Sequence, residues 1–417
     1  MSGMLDTVFA RASGPGRAAV AVMRVSGPKS AEILKRLCGA VPAPRMATVR
    51  RLADPVEGDV LDHALVLWFP GPGSYTGEDV AELHLHGGTA VLEAVSDALV
   101  RLGCRPAEPG EFTRRAFLNG KLDLVQAEAI ADLIDAETAA QRRQALRQAG
   151  GALSRLYEGW TGRMTRFLAH QEAASGFVMD DLPSDRGCSA RDAAIALAEE
   201  ISTHLDDQGR GERLREGVSI AILGAPNAGK SSLLNALVGR EAAIVSARAG
   251  TTRDVVECRL DLDGIPAWIA DTAGLRATED DVEREGVRRA EARGGEADIV
   301  LAVFAADLPA DIATLRLIER RPDAMLVVSK SDLGSGTPAG LVGRPLVPTS
   351  AATGDGLVAL RAALAAQAAR RAGLAATPTL TRARHRAALV EALEKHAEAT
   401  STSYPELAAE GFRSAVL

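Results

Sequence analysis

The residues best suited to do chemistry lie in one stretch, Gly224-Ala-Pro-Asn-Ala-Gly-Lys230-Ser231, with Ser232 directly after it. It follows the apolar run Val218 to Leu223 and leads into a helix-like segment that closes at Gly239. Strand, glycine-rich loop and helix in that order are the setting in which GxxxxGK[ST] binds a nucleotide. A phosphate chain needs backbone N–H groups converging on its oxygens. Gly224 and Gly229 let the chain bend around it without Cβ clashes, so Asn227, Ala228 and Gly229 form the cradle. The N-terminus of the next helix adds partial positive charge at the same spot. Lys230 then reaches the β and γ phosphates, and the Ser231 hydroxyl is placed to ligate Mg²⁺.

A phosphate loop alone does not name the base. Further along, Gly250-Thr251-Thr252-Arg-Asp254 offers a switch loop whose Thr252 hydroxyl would bind Mg²⁺ and sense the γ phosphate. Asp271-Thr272-Ala273-Gly274 ends a strand-like run; its aspartate would hold the metal through water, and its glycine N–H would touch the γ phosphate. Ser329-Lys330-Ser-Asp332 follows another apolar run. Asp332 can accept both guanine N–H groups, which adenine cannot offer, while Lys330 packs along the base. The usual first residue of that motif in GTPases is asparagine, and here it is Ser329. Ser350-Ala351 matches the remaining base-supporting turn. Any one of these reads equally well as a polar turn; four in register do not. Many small GTPases orient the attacking water with a glutamine after the DxxG glycine, but this chain has Leu275. Either hydrolysis is slow or another group supplies the missing charge and orientation.

The elements that must position these residues fall into three kinds. The first ~120 residues alternate in an α+β pattern, with strands around 19–25, 63–69 and 80–86 and helices over 29–38 and 89–102. Arg24, Glu82 and Lys121 are polar candidates for a ligand pocket there, although a solvated face is the commoner place for a charge on a strand. From Leu122 the pattern becomes alanine-rich and helical over 122–148, 153–177 and 190–205, and the polar stretch 206–217 reads as a linker. After Gly217 strand and helix alternate, which implies a mostly parallel, doubly wound sheet. A helical segment from Thr381 onward then suggests that the nucleotide module is inserted into a discontinuous bundle.

The bulk numbers agree with that plan. The chain has 417 residues, too many for one ordinary core. Its 47% hydrophobic and 25% charged content is that of a soluble globular protein, and its net charge of −7 excludes coating nucleic acid by global charge. Any RNA contact must use a local patch, for which Arg142, Arg143 and Arg147, Arg370 and Arg371, or Arg382, Arg384 and Arg386 are candidates, although a solvated helix face is the commoner place for each. Four cysteines without CxxC spacing read as reduced thiols. No run approaches a membrane span or signal peptide, so the expectation is cytoplasmic with no membrane association.

The phosphate-loop Asn227, Gly250-Thr-Thr-Arg-Asp254, Asp271-Thr-Ala-Gly-Leu-Arg276, Ser74-Tyr-Thr-Gly-Glu-Asp79, the run Pro109 to Asp123 and the run Gln126 to Asp135 together resemble the MnmE (TrmE) family of tRNA-uridine-modifying GTPases. The likeness extends from about Asp6 to Pro405. It implies an N-terminal folate-binding and dimerising domain (1–120), a discontinuous α-helical domain (121–215 and 374–417) and an inserted Ras-like α/β P-loop GTPase domain (216–373). It implies work with the flavoprotein MnmG (GidA) on the wobble uridine of certain tRNAs. A 5-formyl- or 5,10-methylene-tetrahydrofolate would supply the one-carbon unit in a pocket that includes Arg24, Glu82 and Lys121. It also implies a K⁺ site of Asn227, Ser246, Arg248 and Thr251 that acts across paired GTPase domains, with Glu283 orienting the attacking water. The family ends in a Cys-x-Gly-Lys tail, whereas this chain reads Gly411-Phe-Arg-Ser-Ala-Val-Leu417; the expectation is GTP hydrolysis with impaired modification. Two other readings compete: a regulatory or ribosome-assembly GTPase switch, and a folate-dependent one-carbon enzyme whose GTPase domain serves only assembly.

Overall fold

The computed structural model describes residues 6–176, 184–242, 257–271, 297–334, 338, 340–373, 379–402, 410 and 413. The chain divides into two compact units, residues 1–128 and 129–417.

In the first unit, β1 (Val8–Arg11), β2 (Ala18–Ser26), β3 (Thr48–Ala53), β4 (Val60–Phe69), β5 (Val80–Gly87) and β6 (Arg105–Pro106) form one sheet in the order β3-β4-β5-β2-β1-β6. Helices α1 (Ser30–Cys38) and α2 (Thr89–Arg101) cover it, burying Leu34, Val25, Leu83 and Leu99 in a shared core. Sequence patterning had placed β2, β4, β5, α1 and α2. It missed β1, β3, β6 and α3 (Glu111–Leu118). β3 is an edge strand whose alternation is broken by Arg50 and Arg51, and β1 is only four residues long.

Charge holds α3 in place. Arg115 is 3% exposed, and its guanidinium reaches Asp6 at 2.7 Å, Glu78 at 3.0 Å and Glu111 at 3.0 Å. Arg105 completes the set at 2.8 Å from both Asp6 and Glu111. Burial disfavours the Glu111 charge, yet hydrogen bonds from Arg105, the Glu108 N–H and Arg115 hold its pKa at about 2 against an ordinary 4.5.

The second unit contains helices and a second sheet. The run expected as one helix over 122–148 is two, α4 (Leu124–Ile134) and α5 (Ala139–Ala149). Thr138 stops the continuation: its hydroxyl accepts the Gln141 N–H and the Gln141 amide oxygen accepts the Thr138 N–H, a reciprocal cap. Helices α6 (Ala152–Gly176) and α7 (Ser184–Leu205) bury Trp160, Met164, Leu197 and Ile201, with Leu389 and Leu393 packed against them. The expected linker is a correction: residues 210–216 form α8 (Arg210–Glu216). It looks polar because only Gly211 and Leu214 face inward.

Beyond it, β7 (Val218–Leu223), β8 (Glu257–Leu262), β9 (Ile265–Asp271), β10 (Ile299–Ala305), β11 (Met325–Ser329) and β12 (Leu346–Pro348) order as β12-β11-β10-β7-β9-β8. All pairings are parallel except β8 with β9. Helices α9 (Lys230–Ala242) and α11 (Leu357–Ala372) bury leucines with Ile220, Ile222 and Val303, while α10 (Ile312–Arg320) packs Leu317 and Ile318 with Ala221, Val300 and Phe304. These two residue sets alternate along the strands, so helices cover both faces. Helix α12 (Ala383–Ser401) supplies Leu389 and Leu393 to the α6–α7 core, so the bundle is built from segments on both sides of the sheet in sequence. Among the described residues no helix is long and apolar enough to cross a membrane.

The chain's exit to the sheet and its return run against each other. A Cβ on Gly211 would sit 1.9 Å from the Leu380 carbonyl oxygen. Gly211→Ala should therefore cost about 1–3 kcal/mol through forced separation of the two segments, measured by urea denaturation; wild-type stability would contradict this contact. In the first unit, Glu111 contributes stability that is fully present above its unfolded pKa of 4.5 and is lost as pH falls towards about 2. Glu111→Gln should lower stability at pH 7 by about 3 kcal/mol and flatten the dependence in that acid window, read from denaturation midpoints across the pH series.

Candidate functional site

The functional loops gather at one edge of the second sheet because its parallel strands all deliver their C-terminal ends there. β7 runs straight into Gly224, where a Cβ would lie 2.3 Å from the Val303 carbonyl oxygen of β10. Only glycine admits so close an approach. Asn227 and Gly229 adopt left-handed backbone with φ of 61° and 81°, which turns the loop before α9 begins at Lys230. The Lys230 ammonium arches back over the loop and donates to the carbonyls of Gly224 at 2.9 Å and Ala225 at 2.7 Å. Ala228 is buried, whereas Asn227, Ser231 and Ser232 are exposed. The first-turn N–H groups of α9, the ammonium and the Ser231 hydroxyl form a donor set that fits a phosphate chain with its metal.

The residues expected to meet the base lie at the ends of β11 and β12. Ser329 closes β11 and is 4% exposed. Lys330 follows at φ 54°, its ammonium 3.1 Å from the Asp307 carboxylate. Asp332 is exposed. The Ser331 N–H donates to the Thr349 carbonyl at 3.1 Å, and buried Ser350 anchors the next turn by accepting the Thr353 N–H at 3.2 Å. Ala351 is exposed beside it.

Two acidic residues escaped the motif reading, both in the loop after β10. Asp307 holds Lys330. Asp311 caps α10; burial raises its pKa, but hydrogen bonds from Thr314 and Ala313 and the Lys230 charge bring it below the ordinary value. The signal for both was only their position after a parallel strand.

Asp271 ends β9, beside β7. Its side chain, and Ser246, Arg248, Thr251, Thr252, Thr272, Ala273, Gly274, Leu275 and Glu283, lie outside the described residues, as do Gly411 and 414–417. No group of three or more metal-binding side chains occurs among the described residues. An open groove of about 770 Å³ at the N-terminal ends of β11 and β12, lined by Arg321, Asp323, Arg344 and Arg370, is at the far edge of the sheet from these loops.

In the first unit, cross-strand register pairs Arg24 with Glu82, and the guanidinium donates to Oε1 at 3.0 and 2.7 Å. The rings of Tyr75 and Phe112 lie 5.3 and 5.4 Å from it. Lys121 instead donates to the Pro72 carbonyl at 3.0 Å, on the loop that carries Tyr75. Of the basic clusters in the second unit, Arg382 and Arg386 pair with Asp132 and Asp207, and Arg371 with Asp323. These cations serve internal ion pairs. Arg142 and Arg143 are exposed.

Residues 7–121 match the family described as GTP-binding protein TrmE N-terminus, and residues 124–417 match the MnmE helical domain. The chain belongs to the MnmE family. Similar relatives bear the name tRNA modification GTPase MnmE. That of Gluconacetobacter diazotrophicus is 54% identical over 98% of this chain and 92% of its own length. That of Paramagnetospirillum magneticum is 54% identical over 98% of this chain and 93% of its own length. The crystal structure of the G domain of the T. maritima FeoB iron transporter is 26% identical and covers 36% of this chain and 98% of its own, with a TM-score of 0.28. The N-terminal match contains Arg24, Glu82 and Lys121, and the second match spans the phosphate loop and the Ser329–Asp332 turn.

Proposed function

We propose that this MnmE-family chain is a K⁺-dependent GTPase, activated when its GTPase domains pair, that modifies tRNA. With a flavoprotein of the MnmG type it adds an aminomethyl or carboxymethylaminomethyl group to C5 of the wobble uridine of certain tRNAs. Family membership makes it a tRNA modification GTPase, an enzyme that hydrolyses GTP. The proposed division of labour assigns residues 1–120 to folate binding and dimerisation, 121–215 with 374–417 to the helical domain, and 216–373 to GTP hydrolysis, all in the cytoplasm.

The observation that carries the nucleotide reading is the convergence of the Lys230 loop, Asp307 and the Ser329–Asp332 turn at the ends of neighbouring parallel strands β7, β10 and β11. Lys230 and the α9 N-terminus neutralise phosphate oxygens, and Asp332 selects guanine. Ser231 and Thr252 would hold Mg²⁺, with Asp271 reaching it through water. Asn227 presents an exposed amide from a left-handed backbone position. Its oxygen is a neutral donor suited to K⁺, and Ser246, Arg248 and Thr251 would complete that site. Cations bound at these two places supply positive charge where the phosphate oxygens gain negative charge. Glu283 orients the attacking water, the role that Leu275 cannot fill.

For the folate site, Glu82 offers a carboxylate to a pterin edge and Arg24 lies over the rings of Tyr75 and Phe112. Lys121 lies on the adjoining loop contact.

GTP turnover should rise at least tenfold in K⁺ over Na⁺ at equal ionic strength, and Asn227→Ala should remove that difference while leaving GDP affinity within about threefold. Equal turnover in both salts would sink the cation mechanism. Calorimetry with 5-formyltetrahydrofolate should give binding heat that Arg24→Ala weakens about tenfold or more. No heat with the wild-type chain favours the regulatory-switch reading instead.

A further inference from the structure

Helix α5 carries a face that the nucleotide chemistry does not use. From Thr138 to Tyr157 the chain has four arginines and no aspartate or glutamate, within a protein of net charge −7. The rotation of α5 about its own axis is fixed from the side that packs inward. Gln141 donates through Nε2 to the Arg215 carbonyl at 2.9 Å, Gln144 to the Thr379 hydroxyl at 3.3 Å and Gln148 to the Thr381 hydroxyl at 3.2 Å. These glutamines follow one another at three- and four-residue spacing, so they share one face, and Ala140 and Ala145 are buried beside them. Arg142, Arg143, Leu146 and Arg147 are thereby turned to the opposite face, where all four are exposed. Arg155, at the start of α6, donates to the Gly150 carbonyl at 2.8 Å, which holds another guanidinium against the turn between the two helices.

A solvated helix face ordinarily mixes its charges, with acid and base four residues apart. On α5 that spacing joins Arg143 to Arg147, two charges of one sign. Among the described residues Arg142 and Arg143 make no ion pair. Arg371, Arg382 and Arg386, by contrast, have carboxylate partners in Asp323, Asp132 and Asp207. Like charges held on one face repel each other, and a polyanion laid across them relieves that repulsion.

Resting on the reading that this chain acts on tRNA, we propose that the outer face of α5, with Arg155, is a docking surface for tRNA phosphates. A guanidinium meets phosphate oxygens through two parallel N–H bonds. Such contacts position the RNA without reading its bases, so this surface serves different tRNAs alike.

The test follows binding of a fluorescently labelled tRNA to the full chain by anisotropy across a salt series. Arg142→Ala with Arg143→Ala should weaken binding about tenfold or more at roughly 50 mM salt and lower the slope of log affinity against log salt by about 1.5. Arg142→Lys with Arg143→Lys keeps the charge and should recover most of the affinity. Arg370→Ala, at an exposed arginine elsewhere in the second unit, should leave affinity within about twofold. Wild-type affinity and slope in the double alanine variant overturn the surface, which is the result expected if a protein and not RNA covers this face. A loss per residue as large in Arg370→Ala also overturns it, because total charge alone would then be acting. Failure of the underlying reading is distinct: the wild-type chain itself would bind no tRNA.

Discussion

The second sheet can present a phosphate loop because the end of β7 lies against the backbone of β10. At Gly224 there is no room for a side chain before the Val303 carbonyl oxygen. The strand must therefore leave the sheet at once, and the left-handed turns at Asn227 and Gly229 bring it back as the start of α9. Everything that meets the nucleotide is measured from that departure. The Lys230 ammonium rests on carbonyls of the same loop, and the neighbouring strands β10 and β11 place Asp307, Ser329 and Lys330 alongside it. Parallel strand direction puts these groups on one edge; backbone contact brings them close enough to act as a unit.

This explains which parts of the site were legible in the sequence. Two glycines ahead of a lysine after an apolar run state a local geometry, and the local geometry is what the structure contains. The strands β7, β9, β10 and β11, the helix α9 and the turn at Ser329 to Asp332 could each be read because each is specified within a few residues; the order of the strands in the sheet could not. Asp307 could not, since nothing near it in sequence says that Lys330 will lie 3.1 Å away. The hydroxyl of Ser329 was legible only as a missing amide; its bond to Ala228 joins residues about a hundred positions apart. The same limit applied to the first unit. Arg24 and Glu82 were read separately as polar candidates, and strand register makes them one ion pair.

The errors in the fold have equally physical causes. Helical periodicity runs on through Thr138, but a threonine and a glutamine three residues apart exchange hydrogen bonds with each other's backbone and restart the helix. Polar composition at 206–217 suggested a linker, yet one buried leucine and a glycine packed on passing backbone are enough to hold α8. Helix α3 is short, and its place is secured by the ionic cluster around Arg115, in which Asp6 and Glu78 come from distant parts of the chain. Composition records such charges but not their partners. The arginines of the second unit make the same point, because Arg371, Arg382 and Arg386 looked available for RNA and are engaged within the protein.

The bundle core contains α6, α7 and the leucines of α12, and the whole second sheet is encoded between α7 and α12. During synthesis the N-terminal part of a chain emerges first. The ribosome therefore delivers α6 and α7 with the apolar surface around Trp160 and Leu197 uncovered, and keeps it uncovered until every strand of the nucleotide module has followed. Helix α12 follows only after the sheet is complete. A module that folds slowly prolongs that exposure, so the rate at which the sheet forms sets how long the unfinished bundle is open to aggregation.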